Sequence, residues 1–245
     1  MRCIALIPAR IGATRFPRKM LAGIKGKSVI RRTYESTLNT GLFDQVIVVT
    51  DSDEIIAEIA SCGGTAVKSK AAYESGTDRI AEVVQDLEAD VFVNVQGDEP
   101  FVQAASMSVL LDLFREDPEL GVGSLVQRMH DEELVADPNY VKVVLDNRQN
   151  ALFFSRSMIP YPRNREVPVS YYEHIGVYAF RRDALVQFTN WPMTPLESVE
   201  KIECLRFLEN GVPIRMAITD YMGVEIDMPE DILKAEQFME ANGLI

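Results

Sequence analysis

Two short segments of this chain combine residue types that suit chemistry on a phosphate group. In residues 8–19, Gly12 and Ala13 allow close backbone approach to a ligand, and Thr14 offers a hydroxyl group. The cations of this segment are Arg10, Arg15 and Lys19. Arginine binds phosphate oxygens through paired hydrogen bonds, whereas lysine acts as a point charge. The segment therefore predicts a phosphate-binding loop.

The second segment, residues 96–100 (QGDEP), follows an apolar stretch and contains Asp98. A carboxylate at the carboxyl end of a strand is well placed to hold Mg²⁺ against phosphate oxygens. Aspartate is also common in a tight turn before a helix, so a purely structural role for Asp98 remains an alternative. Asp227, in the acidic stretch 223–231, is open in the same way: it can bind a metal ion or cap the last helix before Pro229.

The charge distribution supports a local anion site. Residues 1–32 contain nine basic side chains and no acidic one, although the net charge of the 245-residue chain is −12. Nine cations without an acid repel one another unless an anion lies near them. The overall acidity argues against a protein that coats nucleic acid, because such proteins are usually basic.

The elements that must position these residues follow from the hydrophobic pattern. In the first 120 residues, strands and helices alternate, which is typical of a parallel sheet covered by helices on both faces. The predicted strands there are 2–8, 45–50, 65–68 and 90–95, and the helices 28–39, 51–61, 78–88 and 104–115. A β-rich region follows, with strands 121–129, 141–145, 151–154, 172–180 and 212–219. The later helices are 182–190, 196–210 and 229–241, and residues 9–27 and 160–168 are predicted loops.

Several protein classes are excluded or disfavoured. No apolar run approaches the roughly 18 residues that span a bilayer, so no membrane insertion is expected. The three cysteines, Cys3, Cys62 and Cys204, are far apart in sequence, which favours reduced thiols in a cytoplasmic protein. Leu21 stands where a P-loop motif needs glycine, and no G-x-G-x-x-G motif of dinucleotide-binding proteins occurs.

Seven motifs in order along almost the whole chain resemble the 3-deoxy-manno-octulosonate cytidylyltransferase family. They are IPARIGATRFPRK (7–19), SGTDR (75–79), NVQGDEP (94–100), DPNYVKVVLD (137–146), FFSR (153–156), EHIGVYAF (173–180) and GVEIDMPED (223–231). The resemblance implies a Rossmann-like, mostly parallel α/β sheet of the nucleotide-diphospho-sugar transferase type. It also implies one cytidylyltransferase domain over 1–245, in which 1–120 mainly bind nucleotide and a smaller mixed β region, about 140–190, serves dimerisation and sugar binding.

The implied reaction transfers CMP from CTP to the anomeric hydroxyl of 3-deoxy-manno-octulosonate (Kdo), a sugar acid, and releases pyrophosphate. Its implied cofactor is Mg²⁺, held by Asp98 and Asp227, and Lys19 joins these two as a catalytic residue. The implied nucleotide-binding residues are Pro8, Ala9, Arg10, Gly12, Ala13, Thr14, Arg15, Lys19, Ser75, Gly76, Thr77 and Gln96. The implied sugar-binding residues are Arg79, Arg156, His174, Tyr178 and Glu203. A homodimer and a role in lipopolysaccharide biosynthesis are implied as well.

One departure from the family pattern keeps the sugar open. The family commonly has Gln where this chain has Cys204, beside the expected sugar site. Loss of an amide changes which polar groups of a substrate find a partner, so the 8-amino-3,8-dideoxy analogue of Kdo, or another sugar acid such as sialate, remains an alternative. A further alternative is a nucleotide sensor without catalytic activity.

Overall fold

The computed structural model describes residues 1–12, 15–71, 73, 75–220 and 223–244. The chain forms two compact units. The first comprises Met1–Met107 and Met222–Ile245, and the second comprises Ser108–Tyr221. Both combine strands with helices, as the α/β prediction requires.

The bounds of the elements lie close to most of those expected from the sequence. The strands are β1 (Cys3–Ala9), β2 (Gly23–Ile24), β3 (Lys27–Ser28), β4 (Gln45–Thr50), β5 (Thr65–Lys68), β6 (Val91–Asn94), β7 (Val122–Met129), β8 (Lys142–Leu145), β9 (Ala151–Ser155), β10 (Tyr171–Phe180) and β11 (Arg215–Ile218). The α-helices are α1 (Val29–Asn39), α2 (Asp53–Ser61), α3 (Gly76–Ala81), α4 (Ala104–Glu116), α5 (Glu132–Ala136), α6 (Arg182–Asn190), α7 (Pro195–Glu200), α8 (Leu205–Glu209) and α9 (Asp231–Ala241). Short 3₁₀ helices cover Lys19–Leu21 and Val84–Asp86.

The first unit contains a parallel sheet in the strand order β6, β1, β4, β5. Every residue of β1 is buried, so both faces of this strand are covered. The register pairs Leu6 with Asn94 and Ala9 with Thr50. Parallel strands end at the same edge of a sheet, and the loops that leave β1 and β6 therefore begin side by side.

Serine caps begin the helices of this unit. Ser28 and Ser52 accept hydrogen bonds from the backbone N–H groups of Arg31 and Ile55, which confirms the predicted starts of α1 and α2. The single helix predicted over 78–88 is wrong. Ser75 caps α3 through the N–H of Asp78, so the helix begins earlier, and after Ala81 the chain continues into the 3₁₀ turn at Val84–Asp86.

The second unit is mostly antiparallel: β10 pairs with β7 and β8, β8 pairs with β9, and β11 runs parallel to β7. The helix predicted over 196–210 is wrong because Lys201 adopts a left-handed conformation (φ 55°) and separates α7 from α8. A buried ion pair joins the two short helices, with Arg206 Nη2 2.6 Å from Glu197 Oε1. Among the residues that the structure describes, none of the helices has the length and apolar character that a membrane span requires.

Candidate active site

The loops that follow β1 and β6 approach each other closely in the first unit. A Cβ atom at Gly97 would lie only 2.8 Å from the backbone oxygen of Pro8 and 3.2 Å from Met20 Sδ. The carbonyl of Gly97 also accepts a hydrogen bond from Thr33 Oγ1 of α1, at 2.8 Å. Only glycine fits this contact without displacing the neighbouring loop, so Gly97 fixes the distance between the two segments that the sequence marked for phosphate and metal chemistry.

These loops line one cavity together with the start of α3 and the acidic segment before α9. Its lining comprises Pro8, Ala9, Arg10, Arg15, Phe16, Lys19, Met20, Tyr73, Ser75, Gly76, Arg79, Gln96, Gly97, Asp98 and Asp227. Most sequence-predicted residues of the first unit therefore meet at one place. Phe16, Met20, Tyr73 and Gly97 were not predicted as lining residues.

Four predicted nucleotide-binding residues are not among the described residues that line the cavity. Gly12 is described but is not among the residues that line the cavity. Ala13 and Thr14 lie outside the described residues. Thr77 is buried and accepts a hydrogen bond from Asn94 Nδ2 at 3.2 Å, so it links α3 to the end of β6.

Lys19 and two carboxylates form the charged centre of the cavity. Lys19 Nζ lies 2.6 Å from Asp98 Oδ2 and 3.2 Å from Asp227 Oδ1. Burial alone lowers the pKa of Lys19, but the charges of Asp98 and Asp227 and their hydrogen bonds outweigh it, and the pKa is raised. Lys19 therefore stays protonated at neutral pH. Arg15 Nη2 adds a looser ion pair, 3.4 Å from Asp227 Oδ2.

Glu225 is the residue of this centre that sequence reasoning missed. Oxygens of Asp98, Glu225 and Asp227 all lie within 4.8 Å of one another. The available signal was the spacing Glu225-Ile226-Asp227, because alternate residues of an extended segment share one side.

Asp227 does not cap the last helix. The helix begins at Asp231, whose Oδ2 accepts hydrogen bonds from the backbone N–H groups of Asp227 and Met228, at 3.0 and 2.8 Å. These two bonds hold the backbone beside Asp227 and leave its carboxylate to face Lys19. Of the two readings left open for Asp227, the helix cap is therefore wrong, and a place at the charged centre fits the geometry.

The positive charges of segment 1–32 need a bound anion less than the sequence suggests, because acidic side chains of the protein neutralise many of them. Six of its nine cations form ion pairs with acidic residues from elsewhere in the chain: Arg15, Arg18, Lys19, Lys25, Lys27 and Arg31. The prediction that 9–27 is entirely loop is also wrong, because it contains the 3₁₀ turn and β2 and leads into β3. Arg10, by contrast, is an exposed cation that lines the cavity.

The start of α3 contributes backbone and a buried arginine to the cavity. A Cβ atom at Gly76 would lie 3.1 Å from Pro8 Cγ and 3.4 Å from Gln96 Oε1, which again indicates close packing of the lining. Arg79 is almost fully buried, donates to Ser69 Oγ at 2.7 Å and lies 3.3 Å from Asp51 Oδ2. Its guanidinium is therefore held in place before any ligand binds.

The other four predicted sugar-binding residues belong to the second unit. His174 stacks edge-on against Phe154, and its Nε2 lies 3.2 Å from Ser124 Oγ. Burial lowers the pKa of His174 to about 3, so the imidazole is neutral at physiological pH. Tyr178 is buried beside His174 and shares a hydrogen bond with Cys204. Burial raises the pKa of both Tyr178 and Cys204.

Glu203 and Arg156 complete that set. Glu203 lies in the turn before α8, and its charge acts on both Tyr178 and Cys204. Arg156 follows β9, where its Nε donates to the carbonyl of Glu200 at 2.8 Å and its Nη1 donates to that of Pro138 at 2.9 Å. His174, Tyr178 and Glu203 thus form one neighbourhood, whereas the guanidinium of Arg156 binds backbone carbonyls.

A parallel sheet whose strand ends carry a basic loop and paired carboxylates defines a nucleotide-binding enzyme of the α/β class. Comparison with known proteins makes the class specific. The family described as "Cytidylyltransferase" matches residues 4–218. The chain belongs to this family.

Particular relatives cover nearly the whole chain. The 3-deoxy-manno-octulosonate cytidylyltransferase of Flavobacterium johnsoniae is 49% identical over 98% of this chain and 99% of its own length. The protein of the same name from Christiangramia forsetii is 48% identical over 97% of each chain. A solved structure described as CMP:2-keto-3-deoxy-manno-octonic acid synthetase complexed with CTP has a TM-score of 0.94 and 38% identity, and covers 99% of this chain and 100% of its own. The α/β fold predicted from the sequence is confirmed.

Proposed function

We propose that this protein transfers CMP from CTP to the anomeric hydroxyl of Kdo and releases pyrophosphate. The observation that carries the proposal is the cavity of the first unit, where the basic loop after β1 faces the carboxylates of Asp98 and Asp227. CTP is proposed as the nucleotide and Kdo as the sugar acid because of the match to the cytidylyltransferase family and the names of the relatives. In this proposal the whole chain acts as one catalytic domain.

The cavity lining supports the binding of CTP in two ways. Arg10 and Arg15 are exposed cations at its edge, where they can meet phosphate oxygens. Ser75, Gly76 and Gln96 offer polar groups and accessible backbone, and we assign them to the cytidine part together with Pro8 and Ala9. Thr77 does not line the cavity, but its hydrogen bond from Asn94 holds the start of α3 against the end of β6. Gly12, Ala13 and Thr14 are proposed to complete the loop.

The residues at the charged centre suit Mg²⁺. Asp98 and Asp227 are hard oxygen donors on neighbouring segments, and magnesium is commonly held by one or two carboxylates plus substrate phosphates. When bound, the ion supplies charge neutralisation at the phosphates and polarises the oxygen that attacks the α-phosphorus. Asp98 and Asp227 are the residues that would hold it.

Lys19 has a role that follows from its present partners. Its ammonium is kept protonated by Asp98 and Asp227 and is therefore available as a fixed positive charge. We propose that Lys19 stabilises the negative charge that develops on the departing pyrophosphate. Phosphoryl transfer of this kind requires little covalent participation by the protein, so positioning and charge stabilisation carry the catalysis.

The sugar acid needs both cations and neutral hydrogen-bonding groups. Arg79 is a buried, preoriented guanidinium at the cavity and is proposed to bind the sugar carboxylate, with Arg156 as a second cation. His174, Tyr178 and Glu203 are proposed to bind the hydroxyl groups. Because the imidazole of His174 is neutral, it serves as a hydrogen-bonding group there and not as a charge.

A cytoplasmic homodimer that serves lipopolysaccharide biosynthesis is part of the same proposal. The β region of about 140–190 is its proposed interface, and the exposed Leu152 and Tyr161 lie within that range. These proposals rest on the family resemblance.

The test is a substrate panel assayed for pyrophosphate release and for the nucleotide product by mass spectrometry. The account expects CMP-Kdo from CTP, Mg²⁺ and Kdo, with far less product from sialate. Faster turnover of the 8-amino analogue than of Kdo would make that analogue the proposed substrate. CTP binding without turnover of any sugar acid would favour a nucleotide sensor without catalytic activity. Cys204→Gln in the same panel measures whether this position tunes the sugar preference.

A further inference from the structure

We infer that Glu225 supplies a third carboxylate to the divalent-cation site and strengthens its hold on the ion. The inference rests on the proposed function, because it needs Asp98 and Asp227 to bind a metal ion. The family resemblance assigns Asp98 and Asp227 to the metal ion and gives no role to Glu225, although the motif 223–231 contains it. Its role therefore has to be argued from geometry and charge.

The distances bring Glu225 within reach of a shared ion. Oxygens of Asp98, Glu225 and Asp227 lie within 4.8 Å of one another. Two ligand oxygens on opposite sides of Mg²⁺ are about 4.2 Å apart, since each Mg–O distance is about 2.1 Å. A small side-chain rotation, or one coordinated water, closes the difference, and carboxylates commonly serve magnesium in both ways.

The backbone explains why Glu225 faces the other two carboxylates. The N–H of Ile226 donates to the carbonyl of Asp98 at 3.0 Å, which fastens this segment to the loop after β6. Ile226 itself is fully buried in the core. With Ile226 directed into the core, its two neighbours Glu225 and Asp227 lie on the other side of the segment, beside Asp98.

Glu225 is the most accessible of the three acidic residues. Asp98 and Asp227 are half-buried and paired with Lys19, and Asp227 is also paired with Arg15. Glu225 is exposed. Its side chain therefore has room to turn towards an ion that Asp98 and Asp227 hold.

The experiment is a titration with Mn²⁺ in the absence of nucleotide, followed by electron paramagnetic resonance of the free ion. Mn²⁺ is suited to the same oxygen ligands as Mg²⁺. The proteins are the wild type, Glu225→Gln, Asp98→Asn and the control Glu230→Gln, which removes an exposed carboxylate on the same segment. Circular dichroism checks that each variant is folded.

We expect Glu225→Gln to weaken Mn²⁺ binding about tenfold or more, the usual loss when a supporting residue of a metal site is removed. Glu230→Gln should change it by no more than about twofold. Equal losses in these two variants, or wild-type affinity in Glu225→Gln, would overturn the inference. Wild-type affinity in Asp98→Asn would instead overturn the proposed metal site itself, so the two failures are distinguishable.

Discussion

Two clusters of functional groups, one in each unit, are held in opposite electrostatic states. In the first, Lys19, Asp98 and Asp227 are charged groups held against each other at the wall of an open cavity. In the second, burial favours the neutral forms of His174, Tyr178 and Cys204 among aromatic rings. The first cluster keeps its groups charged, and the cluster of His174, Tyr178 and Cys204 keeps its groups neutral.

The difference shows how one chain can serve two tasks. The charges of the first cluster line a cavity, so under the proposed function they can meet a triphosphate and a metal ion. Neutral groups with fixed hydrogen bonds discriminate by shape and by donor and acceptor pattern, since an unmatched buried polar group costs about 1–3 kcal/mol. Under the proposed function, the first cluster serves the chemistry on phosphate and the second serves the recognition of hydroxyl groups.

The largest expected effect falls on the charged region. Asp98→Asn should lower the rate of pyrophosphate release about 1,000-fold or more, because a metal ion contributes several kcal/mol of charge stabilisation at such a site. Stopped assays with coupled pyrophosphate detection measure this loss, and the melting temperature reports whether the fold persists. Asp112→Asn removes a surface carboxylate of α4 and should retain wild-type turnover. Similar rates for the two variants would place the chemistry elsewhere.

The buried ion pair of the second unit carries the largest expected effect on stability. Arg206→Ala leaves Glu197 buried without its partner and should reduce the free energy of unfolding by about 3–5 kcal/mol. Arg18→Ala breaks the exposed pair with Glu54 and should cost no more than about 1 kcal/mol. Urea denaturation followed by fluorescence compares the two. If both variants lost the same free energy of unfolding, burial would not be what makes the Arg206–Glu197 pair important for stability.

The close contact between loops predicts a smaller effect in the first unit. Gly97→Ala forces a methyl group to within 2.8 Å of the Pro8 carbonyl and should destabilise the protein by about 1–3 kcal/mol while raising the KM for CTP. Gly23→Ala is the matched control, since a Cβ atom there meets no atom within 4 Å. An unchanged KM in Gly97→Ala would show that the loop spacing does not govern nucleotide binding.

The neutral region predicts a pH dependence of stability. The pKa of His174 is about 3 in the folded protein and about 6.5 in an unfolded chain, so only the unfolded state gains this proton between those values. Stability should therefore fall as the pH falls from about 6.5 towards 3. In His174→Gln this slope should be shallower, whereas replacing the exposed His130 by Gln should leave it nearly unchanged. Urea denaturation at several pH values gives the slopes, and identical slopes in both variants would contradict a His174 that stays neutral in the folded protein.

The smallest effect is one of reactivity. Cys204 is buried, its pKa is raised by burial, and it is hydrogen-bonded to Tyr178, so its thiol should react slowly with a thiol reagent. Cys62 is only half-buried and should react faster in the folded protein. Mass spectrometry after timed labelling measures both rates. Faster labelling of Cys204 would contradict the closed, neutral character of this region.

Local patterns in the sequence predicted much of the fold. The β-branched run Gln45–Thr50 predicted β4 residue for residue, and Ser28 marked the start of α1. These signals are local, because burial on both faces and a capping hydroxyl act on the residues next to them. The break at Lys201 was missed because the apolar spacing of 196–210 suits either one helix or two short ones.

The sequence motifs predicted many of the residues of the candidate site, but not how these residues contact one another. The structure brings Arg10, Lys19, Asp98 and Asp227 to one cavity, but their contacts depend on residues far apart in the chain. Lys19 and Asp227 are 208 positions apart, and the ion pairs that neutralise much of the basic segment are equally invisible in a linear pattern. Glu225 was missed although its spacing from Asp227 is visible in the sequence, because its approach to Asp98 depends on the hydrogen bond from Ile226 to the Asp98 carbonyl.

The most direct test of the account is an omission experiment on the wild-type protein, with pyrophosphate release as the readout. Complete mixtures contain CTP, Mg²⁺ and Kdo, and each further mixture lacks one component or replaces CTP by UTP. The account predicts release only in the complete mixture, with CMP-Kdo formed in equal amount. Release without a sugar acid, or none in the complete mixture, would contradict the claim that this cavity joins CMP to a sugar acid.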